Sequence, residues 1–366
     1  MLSRATETPP HLPRQHTRFY TREEHDPSQF PTIPLESCEE VEMKVDIKPF
    51  IGEHCESTTA GTLLGQLGIE LSEPLLFGLG QGIGFVIWNM KGMDFPSMGG
   101  RIKPDLLTRN IAGNLDLTLT FKETSSQRKA WREVKYLLDN GKAVGLKLDC
   151  FHLEYFTNPI HFAGHYVTIV GYDDKNAYLV DTTQQGPYAA TSLESLALAR
   201  NERGPMSSRN LYFTLEKKAA ITPLADATLS AIRSNAITYL NPPIKNMGHE
   251  GIRKAGREIT KWYDRQNSGA RFSTAATLME HAGTGGALFR NLYRDFLEEA
   301  YQVTHHQNVG QAHLLFTSIA RDWAHIISLF EEIGATGKRD HVLQASELFK
   351  TVAEREKEAM TLLAAI

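Results

Sequence analysis

Cys55 stands in the polar run Gly52-Glu53-His54-Cys55-Glu56-Ser57-Thr58-Thr59-Ala60-Gly61, where a helix is predicted to begin. Far downstream, Gly164-His165-Tyr166-Val167-Thr168-Ile169-Val170-Gly171 opens a strand on a histidine, and Asp181 closes the next strand. Cysteine at a helix N-terminus, then histidine and acid on a hairpin, is an order that suits a thiol nucleophile. The positive end of a helix favours a thiolate, and a neighbouring imidazolium favours it further. The acid holds the imidazole in the tautomer that lets it act as a base. These residues predict a Cys-His-Asp enzyme with Cys55, His165 and Asp181 as its catalytic groups.

Each residue also has a plainer reading. A free cysteine is commonly a core residue, but Cys55 lies among Glu53, His54, Glu56 and Ser57 rather than on an apolar face. Cys38 and Cys150 lack that setting, and Cys150 follows an apolar strand. His54 adjoins the cysteine, yet neighbours on a helix point about 100° apart and do not face each other. His54 is therefore expected to cap the helix or line the mouth of the pocket. His165 could be a solvated strand-start histidine, one of 14 in the chain, and Asp181 could cap the Thr182-Thr183 turn. What favours catalysis is the turn Tyr172-Asp173-Asp174-Lys175-Asn176, which folds Asp181 back to the level of His165. Glu53 and Tyr166, flanking the nucleophile and the base, join His54 as expected substrate-binding residues.

A chain of 366 residues, 41% hydrophobic, can bury a full core and hold two domains. Its net charge of -4 provides no basic field for nucleic acid or an anionic membrane. No apolar run is long enough to span a bilayer, and the first residues lack the apolar centre of a secretory signal. Three scattered cysteines do not make a disulfide framework. The expectation is a cytoplasmic protein without membrane or nucleic-acid partners. Cys55, His54, His152, His161 and His165 show no ligand-pair spacing, so no metal is expected. The glycines from Gly78 to Gly84 lack the Lys-Ser/Thr of a phosphate loop. They are expected to bring a helix end and a strand start close to other backbone, at the border of a substrate channel.

The elements that must position these groups follow from pattern. Residues 1–38 are polar and proline-broken, an expected flexible arm. From 39 to 217 the signal is α+β. Helices are predicted at 55–67, 73–78, 104–112 and 126–140, and strands at 85–88, 143–148, 166–171, 177–181 and 210–214. The aromatic segment Phe151-His152-Leu153-Glu154-Tyr155-Phe156 is a candidate wall for an acyl pocket. From 218 to 366 the pattern is wholly helical, with helices at 224–240, 249–265, 274–281, 287–302, 311–333 and 341–363, separated by Asn241-Pro242-Pro243, Gly283-Thr284-Gly285-Gly286 and Gly334-Ala335-Thr336-Gly337.

At His54-Cys55-Glu56, at Glu73-Pro74-Leu75-Leu76-Phe77-Gly78-Leu79-Gly80 running into Gly82-Ile83-Gly84-Phe85, and at Gly164-His165-Tyr166-Val167, the chain resembles the N-terminal domain of the butirosin-biosynthesis protein H family. The stretch from Gly285-Gly286-Ala287-Leu288-Phe289-Arg290 to Phe296-Leu297 resembles the helical domain of unknown function that usually follows it. The resemblance implies a papain-like cysteine-peptidase fold followed by an all-α domain. It also implies an acyltransferase that takes an aminoacyl group from a carrier-protein thioester to the amine of a small natural product, with Cys55 as nucleophile, His165 as base and Asp181 as orienting acid. On that reading no cofactor is bound. A phosphopantetheine-linked donor arrives on an acyl carrier protein, which Arg290 and Arg294 are expected to contact, their plain alternative being exposed helix charges. One departure is visible: papain-like peptidases place an oxyanion-hole glutamine shortly before the cysteine, and Lys48-Pro49-Phe50-Ile51-Gly52 has none. The oxyanion must then meet backbone N–H groups, such as that of Cys55, or another side chain such as His54. The rival readings are a cysteine peptidase or amidase, and a non-catalytic binding protein on the same fold.

Overall fold

Two apolar runs, Val144–Leu148 and His165–Tyr172, are buried along their whole length, and they form the middle of the molecule's main sheet. The computed structural model describes residues 45–88, 96–157, 159–204, 206–265, 268–281 and 287–366. The expected arm over 1–38 and the breaker at Gly283–Gly286 lie outside the described residues. Among the described residues the chain is mixed α and β, with a helical C-terminal region.

The chain enters through two helices, α1 (Cys55–Gln66) and α2 (Glu73–Leu79), the second capped by Ser72, whose Oγ accepts from the Leu75 N–H. A two-stranded antiparallel ribbon follows, β1 (Ile83–Trp88) with β2 (Ser97–Arg101). Next come α3 (Leu106–Asn114), β3 (Thr118–Lys122) and α4 (Gln127–Asp139), the last burying Ala130, Val134 and Leu138 at helical spacing. The strand β4 (Val144–Leu148) ends in a 3-10 turn, Cys150–His152. Then β5 (His165–Tyr172) and β6 (Asn176–Val180) form a hairpin, followed by β7 (Ala189–Ser192), α5 (Leu193–Asn201) and β8 (Tyr212–Glu216). The main sheet is antiparallel throughout, in the order β3-β8-β4-β5-β6-β7.

Six helices complete the chain: α6 (Leu224–Leu240), α7 (Gly248–Tyr263), α8 (Ser268–His281), α9 (Ala287–Thr304), α10 (Gln307–Thr336) and α11 (Arg339–Ala364). The sequence pattern ends α10 at Ile333; the helix in fact runs through Gly334 and stops at Gly337, whose positive φ of 63° lets its N–H cap the Ile333 carbonyl. Gly334 breaks nothing. A Cβ there would lie 1.9 Å from Ser273 Oγ, so the glycine is what lets α8 lie against α10.

The helical region packs on the first part of the chain through α2 and α9. Ser72 Oγ donates to Glu299 of α9 at 2.6 Å, and a Cβ on Gly78 would collide with the Phe296 ring. Phe77 and Phe289 stack with rings 2° from parallel. The glycines from Gly78 to Gly84 thus serve close packing, as the sequence suggests; Gly82 sits under Phe77 and Gly84 against the Arg101 backbone. Among the described residues no helix is long and apolar enough to cross a membrane.

Candidate active site

Cys55 is the first residue of α1, His165 the first of β5, and Asp181 follows directly on the last residue of β6. Three local features bring them together. The hairpin turn is tied by Asp173, whose Oδ1 accepts from the N–H groups of Lys175 (2.6 Å) and Asn176 (2.7 Å). Past β6, the N–H and hydroxyl of Thr183 both donate to the Gly52 carbonyl, at 2.9 and 3.0 Å, which clasps the acid's strand to the loop before the cysteine. That loop is held in turn by Glu73, whose carboxylate accepts from the N–H of Glu53, the N–H of His54 and the hydroxyl of Ser57 at 2.7–2.8 Å.

His165 Nε2 lies 3.0 and 2.9 Å from the two Asp181 oxygens. Cys55 lies near enough to the imidazole to bear on its charge, and with Nε2 engaged by the acid, Nδ1 is the nitrogen left to serve the sulfur. Burial pulls the imidazole's pKa down, but the Asp181 carboxylate, its hydrogen bonds to the ring and the neighbouring Cys55 outweigh it and hold His165 well above the ordinary imidazole range. Asp181 is 1% exposed and takes further bonds from the Thr182 N–H (2.7 Å) and the Tyr155 hydroxyl (2.8 Å). The crevice is narrow: Cys55 keeps 9% of its surface and His165 7%. The aromatic segment 151–156 does wall this place, since Phe156 meets the His165 ring edge-on at 5.4 Å.

His54 is pushed the opposite way. Burial, then Arg101, then His165 hold it well below the usual range, so it stays neutral beside a charged neighbour. It occupies the N-cap position of α1 without making a capping bond, and it is buried rather than at a mouth. Its ring stands perpendicular to Phe289 at 5.4 Å and to Phe77 at 6.2 Å. His54 Nδ1 lies 3.2 Å from the Ser57 hydroxyl, which also reaches Glu73 and the His54 carbonyl. Nε2 is buried without a hydrogen-bond partner.

The remaining expected substrate contacts fare differently. Glu53 is exposed, and its carboxylate accepts from Gln184 at 2.7 Å, reinforcing the Gly52–Thr183 clasp. Tyr166 requires correction: strand alternation sends it to the side opposite His165, where it is fully buried and its hydroxyl donates to Asp105. Arg290 also requires correction. It is fully buried, with Nε and Nη2 on the Glu356 carboxylate at 2.9 and 3.0 Å and Nη1 on the Gly100 carbonyl, so it offers nothing to a carrier. Arg294 is partly exposed on α9 and donates to Asp295 and Asn291. Cys150, in the 3-10 turn, donates its thiol to the Ile160 carbonyl, and burial pushes that thiol up to about 11.

Other residues of the site do not stand out from the sequence. Glu56, beside Cys55, is fully buried; burial pushes its carboxyl up against the pull of Arg101 at 3.6 Å and of the Thr108 N–H and hydroxyl. Glu73 and Phe289 bear on the cysteine loop from other helices, and nothing in their local sequence signals that contact. Tyr155 carried a signal, as part of the aromatic segment before His165.

Two family models match the chain. One, described as butirosin biosynthesis protein H, N-terminal, covers residues 54–182. The other, described as a domain of unknown function (DUF4872), covers residues 194–363. No curated protein matches.

Proposed function

For a chain with the domain order of the butirosin-biosynthesis protein H family, we propose a papain-like cysteine acyltransferase that carries an acyl or aminoacyl group from a thioester to an amine. The first model's description names butirosin biosynthesis, which makes specialised metabolism the proposed setting. In this reading residues 39–217 are the catalytic domain and 218–366 a helical domain. The observation that carries the reading is His165 at the start of β5, hydrogen-bonded to Asp181 and neighboured by Cys55, the first residue of a buried helix.

The steps balance as follows. Cys55 sulfur, its proton passed to His165, attacks the donor thioester; a new C–S bond forms, and the donor thiolate leaves with the proton from His165. The acceptor amine then attacks the acyl carbon and gives its proton to His165. The Cys55 C–S bond breaks, and an amide is released. One thioester replaces another, so the first half has little thermodynamic cost. The oxyanion is met by the Cys55 N–H at the positive end of α1, since the two preceding N–H groups are committed to Glu73. A crevice this closed favours amine over water at the acyl-enzyme. The donor in this reading is a phosphopantetheine-linked thioester on an acyl carrier protein, the acceptor is a small-molecule amine, and Arg294, partly exposed on α9, is the arginine assigned to an acidic carrier.

Incubation with acyl and aminoacyl thioesters, with and without an amine, tests the proposal by intact mass and product analysis. Expected are an acyl adduct on Cys55, absent in Cys55→Ser, and amide formed only with amine. Equal thioester loss with and without amine would assign a hydrolase instead. Absence of an adduct, with iodoacetamide reacting no faster at Cys55 than at Cys150, would assign a binding protein.

A further inference from the structure

Near the crevice, three metal-ligating side chains from three elements converge. We propose that His152, His161 and Glu202 form a site for a divalent first-row transition ion of the zinc(II) class. One donor atom from each residue lies within 4.8 Å of the others. Ligands at about 2.0–2.2 Å from a shared ion stand roughly 3–4 Å apart, so small rotations close the site. His161 can supply them, its side chain being 58% exposed.

The donors are held as metal ligands are usually held. His152 Nε2 and Glu202 Oε2 are hydrogen-bonded at 2.7 Å, a contact that a bound ion would replace by coordinating both atoms, while the other Glu202 oxygen takes the Arg203 N–H at 3.0 Å. His161 Nδ1 lies 3.2 Å from Asp149 Oδ2, which leaves its Nε2 as the ligating nitrogen. The other Asp149 oxygen is fixed by the N–H groups of Phe151 (2.9 Å) and Phe162 (3.0 Å). A buried carboxylate behind a histidine is the outer support that fixes ring orientation and raises ligand basicity. Phe151 stacks on the His161 ring at 3.8 Å and stands edge-on to His152, so one aromatic ring faces both imidazoles. Two imidazoles and one carboxylate select a transition ion over magnesium or calcium, which prefer all-oxygen shells. Spacing along the chain hides the site, because Glu202 comes from the end of α5 and the histidines from the turn after β4 and the segment before β5.

The ion's role follows from its position. His152 and His161 bracket the segment that carries Tyr155, bonded to Asp181, and Phe156, packed on His165. A bound ion would pin both ends of that wall. Its chemistry here is structural, so the site stands whether or not Cys55 performs acyl transfer.

The test uses full-length chelator-treated protein carrying Cys55→Ser, which removes the crevice thiol as a competing ligand. Zinc chloride titrated by calorimetry, and cobalt(II) followed by its visible absorption, should each show one saturable site and a raised melting temperature. His161→Ala and Glu202→Gln should each abolish that site, and Asp149→Asn should weaken it by about 10–100-fold. No stoichiometric binding, or binding that both ligand substitutions leave unchanged, would overturn the proposal.

Discussion

At the residue scale, the two histidines beside Cys55 are set apart by their neighbours. His165 faces a carboxylate and keeps its proton above the usual range; His54 faces Arg101 and His165 and gives its proton up. The sign for His165 is definite. A group whose folded pKa is raised contributes stability that is fully present below its unfolded value, about 6.5, and is lost as pH rises through the folded value. Asp181→Asn removes the carboxylate that raises it. The variant's imidazole should therefore titrate at lower pH by ring-proton NMR, and its melting-temperature deficit should be greatest near pH 6 and shrink toward alkaline pH. A deficit equal at every pH would contradict this account. The meeting of His165 with Asp181 is legible because a hairpin turn with strong Asx signals lies between them. Tyr166 and Arg290 were misjudged because residue type cannot tell a surface polar group from one buried against a partner.

At the element scale, the cysteine loop depends on a carboxylate from the next helix. Glu73 accepts two N–H groups and a hydroxyl just before and within the first turn of α1. Glu73→Gln can keep the His54 N–H and the Ser57 hydroxyl on its amide oxygen but turns its N–H₂ toward the exposed Glu53 N–H, at a cost of about 1 kcal/mol for the lost charge-assisted bond. Chemical denaturation should show that loss, and iodoacetamide should react more slowly at Cys55 because the loop no longer fixes the sulfur. Unchanged stability with normal alkylation would remove Glu73 from the site. Helices with clear apolar stripes and the two central strands were readable from pattern. The segments β2, β3, β7 and α5 were not, each for its own reason. β2 contains Gly99 and Gly100, which weaken any strand signal. β3 and β7 are the sheet's edge strands, half-buried and, in β7, built of Ala and Ser as much as Thr. α5 starts directly where β7 ends, with no connecting residues to mark the change.

At the scale of the whole molecule, the helical region is organised around Glu356. This fully buried carboxylate takes Arg290 bidentately, the Trp323 indole N–H at 2.7 Å and the Tyr239 hydroxyl, so α6, α9, α10 and α11 meet on one residue. Arg290 extends the link to Gly100, next to the Arg101 that faces Glu56. Glu356→Ala strands a buried guanidinium and should cost about 3–5 kcal/mol, whereas Arg290→Met with Glu356→Leu should recover only part of that loss, because the Trp323 N–H and the Tyr239 hydroxyl lose the carboxylate in both variants. Thermal or denaturant melts of the three proteins decide it; a double variant as stable as the unaltered protein would mean that the Trp323 and Tyr239 bonds contribute nothing. The second family match starts at residue 194, yet β8 (Tyr212–Glu216) is a full member of the main sheet, between β3 and β4. The perpendicular stack of Phe289 on His54 adds a further consequence. One face of the residue preceding the sulfur is supplied by a helix from the distant half of the chain. A change in the size of either ring would therefore have to be matched in the other half, and recombining halves from two relatives would unsettle the start of α1 even where each half folds well.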